Sequence, residues 1–190
     1  MPLESHNTGG KQLHGSGNVG ADTGEWIRAA VERFETPLTS YARHVLGGDA
    51  ERARDVVQEA FLRLIGQDHA KVGPHLTEWL YTVCRNLAID VRRKERRMEA
   101  LSDAEADSAT AAAPAPGARA ELDDAMSHVL RSMTLLPRNQ QECIRLKFQG
   151  GLSYKQISRV TNLTVTNVGF LIHTGLKSLR QRLSVEEKKV

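Results

Sequence analysis

The chain has 190 residues, a formal net charge of +3 and only 5% aromatic residues. That length holds one ordinary domain or two small ones, and so few aromatics argue against a single large core. No apolar run approaches a membrane span, which excludes membrane insertion. The polar start lacks a signal-peptide core, so a cytoplasmic location is expected.

Residues 1–21, rich in Gly, Ser, Asn and His, lack apolar periodicity and are expected to be a disordered leader. From Thr23 the residues Trp26, Ile27, Ala30, Val31 and Phe34 recur at helical spacing. Thr36-Pro37 predicts a fresh start, a cap followed by a first-turn proline. The helix it opens buries Leu38, Tyr41, Ala42, Val45 and Leu46 and stops at Gly47-Gly48.

Asp49 is placed to cap a third helix running to about Ile65, with Val57, Phe61, Leu64 and Ile65 as its core stripe. Asp55, Glu59, Leu62 and Arg63 share the opposite face, with Gln58 beside them. A leucine ringed by charges reads either as a partner-docking surface or as a solvated face with one stray apolar residue.

A polar loop containing Gly73-Pro74 precedes a long fourth helix, Leu76 to Arg97, with Leu80, Val83, Cys84, Leu87 and Val91 facing inward. Arg85, Arg92 and Arg96 lie to one side of that stripe, and Asn86, Arg93 and Arg97 lie beside them. The run "RRKERR" at 92–97 is the densest positive charge in the chain. Guanidiniums in this pattern suit nucleic-acid phosphates. Trp79, on the margin, either stacks on an unpaired base or belongs to the core.

Residues 99–120 are acidic, rich in Ala and Pro, and too poor in apolar surface to fold alone; they are expected to be a flexible linker. Four shorter helices are predicted after it, at 121–134, 138–148, 153–160 and 165–183. The expected fold is all-α: two small helical domains on an acidic tether.

The second domain holds "LSYKQISRVTNLTVTNVGFLIHTGLKSLR". Ser153 and Gln156 form a capping box, Asn162 suits a left-handed turn, and Thr164 can cap the next helix. Val168, Ile172, Leu176 and Leu179 then make a buried stripe, the spacing of a helix-turn-helix. Its outward face carries Thr166, Asn167, Phe170 and His173, with positive charge only late, at Lys177 and Arg180. Lacking basic residues at its front, this helix is expected to bind DNA weakly alone.

Cys84 and Cys143 have no metal or disulfide spacing and read as buried, reduced thiols. No metal site and no cofactor are expected. His69 and His75 have no carboxylate or thiol at ligand spacing, and neither a nucleophile–base arrangement nor a phosphate-cradling glycine loop occurs. No catalytic activity is expected on these grounds.

Taken together, "DVVQEAFLRL", "WLYTVCRNLAIDVRRKERR" and "LPRNQQECIRLKFQGGLSYKQIS" resemble the extracytoplasmic-function sigma factors of bacterial RNA polymerase, in order and separation. The resemblance implies a promoter-melting domain at 22–98, a linker at 99–120, an upstream-reading domain at 121–184 and a tail at 185–190. It implies that Asp55, Gln58, Glu59, Leu62 and Arg63 dock on the clamp helices of the polymerase large subunit. Trp79, Arg85, Asn86, Arg92, Arg93, Arg96 and Arg97 would serve the minus-ten element, capturing a flipped base. Lys155, Arg159, Thr164, Thr166, Asn167, Phe170, His173 and Lys177 would serve the minus-thirty-five element. Core RNA polymerase, promoter DNA and an anti-sigma protein are the implied partners, and exposed Leu62 and Phe170–Leu171 would suit the last. Gly169, Phe170 and Leu171 depart from the basic and small polar residues common there in the family. The rival reading is a stand-alone helix-turn-helix regulator, which would bind a symmetric duplex site tightly without polymerase.

Overall fold

The computed structural model describes residues 19–102 and 129–186, with side chains over 23–98 and 129–184. The expected leader, linker and tail fall largely outside the described residues, as does the start of the helix expected at 121–134. No strand occurs among the described residues.

The first helix, α1 (Val19–Val45), is continuous and carries Pro37 inside it. Two helices broken at Thr36-Pro37 were expected, so this is a correction. Proline removes one backbone donor and crowds the preceding turn, at a cost of about 3 kcal/mol. Here Phe34, Leu38, Tyr41 and Ala42 are all buried on one face that spans the proline. Burying that stripe outweighs the break, since each such large side chain contributes about 1.5–3 kcal/mol. Gly47 and Gly48, both at positive φ, turn the chain out of the helix, and Gly48 N–H donates to the Arg43 carbonyl at 2.8 Å.

Helix α2 (Ala50–Ile65) starts where Asp49 accepts from the backbone N–H groups of Glu51 and Arg52, both at 3.0 Å. Its buried stripe is Ala53, Val56, Val57, Ala60, Phe61 and Leu64. Ile65 lies instead at the edge of that stripe in the last turn and is 56% exposed. The expected polar loop is in fact a short helix, α3 (His69–Val72), capped by Asp68, followed by a 3₁₀ turn over Gly73–His75. His69 stacks on Trp26 of α1 with ring centroids 4.4 Å apart, which anchors the segment. Helix α4 (Leu76–Ser102) runs five residues past the expected end.

In the second domain, residues 129–134 form α5, followed by α6 (Arg138–Phe148), α7 (Tyr154–Thr161) and α8 (Val165–Glu186). The capping box is present: Ser153 accepts from Gln156 N–H at 3.3 Å, and Gln156 accepts from Ser153 N–H at 2.9 Å. Asn162 sits at φ 59, in the left-handed region its place in the turn demands. Thr164 accepts from Asn167 N–H at 3.2 Å and so opens α8. Val168, Ile172 and Leu179 are buried as expected, but Leu176 is 37% exposed. Gly175 takes the inward place, where an added Cβ would come within 2.7 Å of Ile144 Cδ1.

The two domains are packed together. One apolar cluster runs from Phe34, Leu38, Tyr81 and Cys84 into Cys143, Leu146, Leu152, Ile157 and Val168, with α4 lying on α7 and α1 reaching α6. Met133, Leu136, Ile144 and Leu179 form a smaller core of the second domain's own. Both cysteines are buried and free, and burial pushes the Cys84 thiol to about 12 and the Cys143 thiol to about 11.

Candidate protein and nucleic-acid interfaces

The α2 face is open. Asp55, Gln58, Leu62 and Arg63 are exposed, Leu62 by 55%, while Glu59 is half-buried and accepts from Arg63 at 2.9 Å. Because Ala53, Val56 and Ala60 occupy the buried side, the 3.6-residue repeat leaves these five no other direction. An apolar residue held amid four polar neighbours on a rigid helix is a surface suited to a specific protein contact.

On α4 the predicted arginine set divides. Asn86, Arg93, Arg96 and Arg97 are exposed, with Arg93 paired to Asp90 at 2.7 Å. Trp79 is half-buried and packs against the apolar cluster. Arg92 is half-buried, and its guanidinium is disfavoured by burial and then by Arg138 and Arg96. Arg85 departs furthest from expectation. It is turned into the domain boundary, where Nε donates to Glu142 Oε1 at 2.7 Å and Nη2 to Oε2 at 3.4 Å. In this arrangement Arg85 belongs to the contact between domains rather than to an open arginine surface. The reason is the carboxylate that α6 brings opposite it.

On the second domain, Lys155, Thr164, Thr166, Asn167, Phe170, His173 and Lys177 are exposed, Phe170 by 62%. Leu171 is half-buried against the apolar cluster, so the expected Phe170–Leu171 knob reduces to Phe170. Arg159 is exposed but bound through Nε and Nη2 to both carboxylate oxygens of Glu78 on α4. The helix that precedes the turn is thereby tied to the first domain.

Sequence reasoning missed the residues that join the domains. Tyr41 donates to Glu142 Oε1 at 2.8 Å, alongside Arg85. Burial, then Glu142, holds the Tyr41 phenol well above its ordinary range, so it stays a donor. His44 lies nearby, and burial followed by Arg145 lowers it to about 4. The available signal was the spacing of Arg138, Glu142 and Arg145, four and three residues apart, which places three charges on one face of α6.

Comparison with known proteins agrees with this layout. The chain matches the families described as Sigma-70 region 2, over residues 30–98, and Sigma-70, region 4, over residues 128–179. It is 30% identical over 142 residues to the ECF RNA polymerase sigma factor EcfG of Rhodopseudomonas palustris, covering 74% of this chain and 76% of that protein. It is 32% identical over 142 residues to the ECF RNA polymerase sigma factor SigM of Bacillus subtilis, covering 70% and 83% respectively. In fold it is similar to the sigma factor RpoE of Bartonella quintana, solved in complex with the anti-sigma factor NepR. That likeness has a TM-score of 0.59 at 20% identity and covers 85% of this chain and 98% of that one. Two all-helical domains in this order, a helix-turn-helix in the second and these relatives lead to one conclusion: the chain belongs to the ECF RNA polymerase sigma factor family, non-enzymatic factors that direct the polymerase to promoters.

Proposed function

We propose that the first domain docks on the clamp helices of core RNA polymerase through Asp55, Gln58, Glu59, Leu62 and Arg63. Asn86, Arg93, Arg96 and Arg97 of α4 then hold the single strand of the minus-ten element, with Arg92 and Trp79 at the edge of that surface. The front of α8, with Thr164, Thr166, Asn167, Phe170 and His173, meets the minus-thirty-five element, and Lys155 and Lys177 hold phosphates. The observation that carries this reading is the open α2 face: five predicted docking residues lie together on a rigid helix of the promoter-melting domain.

The packed arrangement is the resting state, and it opens on the polymerase. Elements near positions ten and thirty-five are separated by roughly 80 Å of B-form DNA. Two packed domains of this size span roughly 40 Å. The stretch 103–128, at roughly 3.3 Å per residue, is long enough to bridge that distance when extended. Core docking then raises the effective concentration of α8 at the promoter, so the helix works without tight binding of its own. An anti-sigma protein is the proposed inhibitor, bound over Leu62 or Phe170, and the site of action is the cytoplasm.

The test is reconstitution. Purified chain and core polymerase, supplied with fragments of the source genome, are expected to yield transcripts with discrete start sites. Tight binding to a symmetric duplex without polymerase, and no transcripts with it, would restore the stand-alone regulator.

A further inference from the structure

Between the domains lies a cleft of about 660 Å³, within the range of small-molecule sites. Arg43, Arg85, Arg92, Arg138 and Arg145 all line it, from α1, α4 and α6, and among the described residues the sole carboxylate on its walls is that of Glu142. That carboxylate is already engaged by Arg85 and Tyr41. Arg43 is turned to the Gly48 carbonyl. Arg92, Arg138 and Arg145 make no ion pair among the described residues. Arg145 reaches Gln149 at 3.5 Å, and its Nε is buried without a partner.

We propose that this cleft binds a compact polyphosphate, free or carried by a nucleoside, which bridges α1 and α4 to α6 and holds the two domains together.

Arg92 is disfavoured by burial and by the charge of Arg138, Arg145 is disfavoured by burial, and a half-buried cation without a counter-charge is costly. The same repulsion is felt by His44, which burial, Arg145, Arg138 and Arg92 all hold in its neutral form against the opposing pull of Glu142. A monovalent ion would neutralise one of the three. A phosphate chain presents several oxyanions in line, and guanidinium forks pair with phosphate through two parallel hydrogen bonds. Val45, Ile89 and Leu130 add apolar wall beside the arginines, enough to seat a base. A ligand spanning both walls binds only the packed arrangement and so favours it by mass action.

Calorimetry on the full chain tests this with two probes, inorganic tripolyphosphate and adenosine triphosphate, against sodium sulfate at equal ionic strength. Micromolar binding of tripolyphosphate is expected, with sulfate much weaker. Equal affinity for the two probes assigns the site to the phosphate chain alone, and tighter binding of the nucleotide adds the base; both support the proposal. Arg138→Gln and Arg145→Gln are each expected to weaken binding about tenfold, about 1.4 kcal/mol. Arg28→Gln, which removes the same charge from an exposed site outside the cleft, is expected to leave it unchanged. In the wild-type chain, which needs no variant to fold, the His44 imidazole titration should move up from about 4 when tripolyphosphate is added. Absence of binding by either probe, equal loss in Arg28→Gln and the cleft variants, or a His44 titration that stays put would each overturn the proposal.

Discussion

Glu142 of α6 and Arg85 of α4, 57 residues apart in sequence, form a two-point ion pair across the domain boundary, with side chains only 16% and 20% exposed. Removing one partner of a fully buried pair strands the other at roughly 3–5 kcal/mol, and somewhat less here because both side chains keep some solvent contact. Glu142→Ala is therefore expected to part the domains while each keeps its helices. Small-angle scattering should show a larger radius of gyration with unchanged far-ultraviolet circular dichroism.

Acid should have a related effect through His44. Its folded-state value of about 4 lies below the model-compound 6.5, so the unfolded chain takes up a proton first as pH falls. The stability associated with neutral His44 is fully present above about pH 6.5. It is lost progressively down to about pH 4, by up to about 3 kcal/mol. Carboxylates titrate in the same window, so the informative quantity is the difference between wild type and His44→Gln in urea unfolding. That difference should shrink on acidification.

Gly150 supports the same boundary. A Cβ there would stand 2.6 Å from Leu152 Cδ1, 2.8 Å from the Leu146 carbonyl oxygen and 3.0 Å from Tyr81 Cζ of α4. The carbonyl belongs to backbone and cannot swing aside. Gly150→Ala is expected to cost roughly 1–3 kcal/mol, read as a lowered thermal midpoint.

The proposed docking and melting surfaces should separate by mutation. Asp55→Arg with Glu59→Arg is expected to weaken core-polymerase binding at least about tenfold, the scale of one well-placed charge contact. Arg93→Ala with Arg96→Ala should leave core binding intact and abolish promoter opening, followed by permanganate reactivity of unpaired thymines. Asp55, Arg93 and Arg96 are exposed, and Glu59 is half-buried. The ion pairs lost, Glu59 with Arg63 and Arg93 with Asp90, are surface pairs worth under about 1 kcal/mol each, so the thermal midpoint should shift little.

What was legible in the sequence followed local chemistry. Asp49, Ser153 with Gln156, Asn162 and Thr164 each perform the turn or capping role their residue type implies, because those interactions close within four residues. Leu62 and Phe170 were placed on open faces by helical period alone, and they are open. The failures were matters of tertiary packing. Pro37 stays inside α1 because the apolar stripe continues past it, and Leu176 yields the inward place to Gly175. The domain boundary was invisible because Tyr41, Arg85 and Glu142 come from three helices with no shared spacing. Two domains on a tether were expected, and nothing in either pattern announces that they pack.

The closed resting state is tested most directly by a distance. Cysteines introduced at Arg54 on α2 and Gln181 on α8, both exposed, accept a fluorophore pair, while Cys84 and Cys143 are buried and held as unreactive thiols. Energy transfer should be high in the free chain and fall sharply when core polymerase is added, as the domains part to reach two promoter elements. Binding of the polymerase with transfer unchanged, or a free chain in which transfer is already low, would contradict a closed resting state that opens on the polymerase.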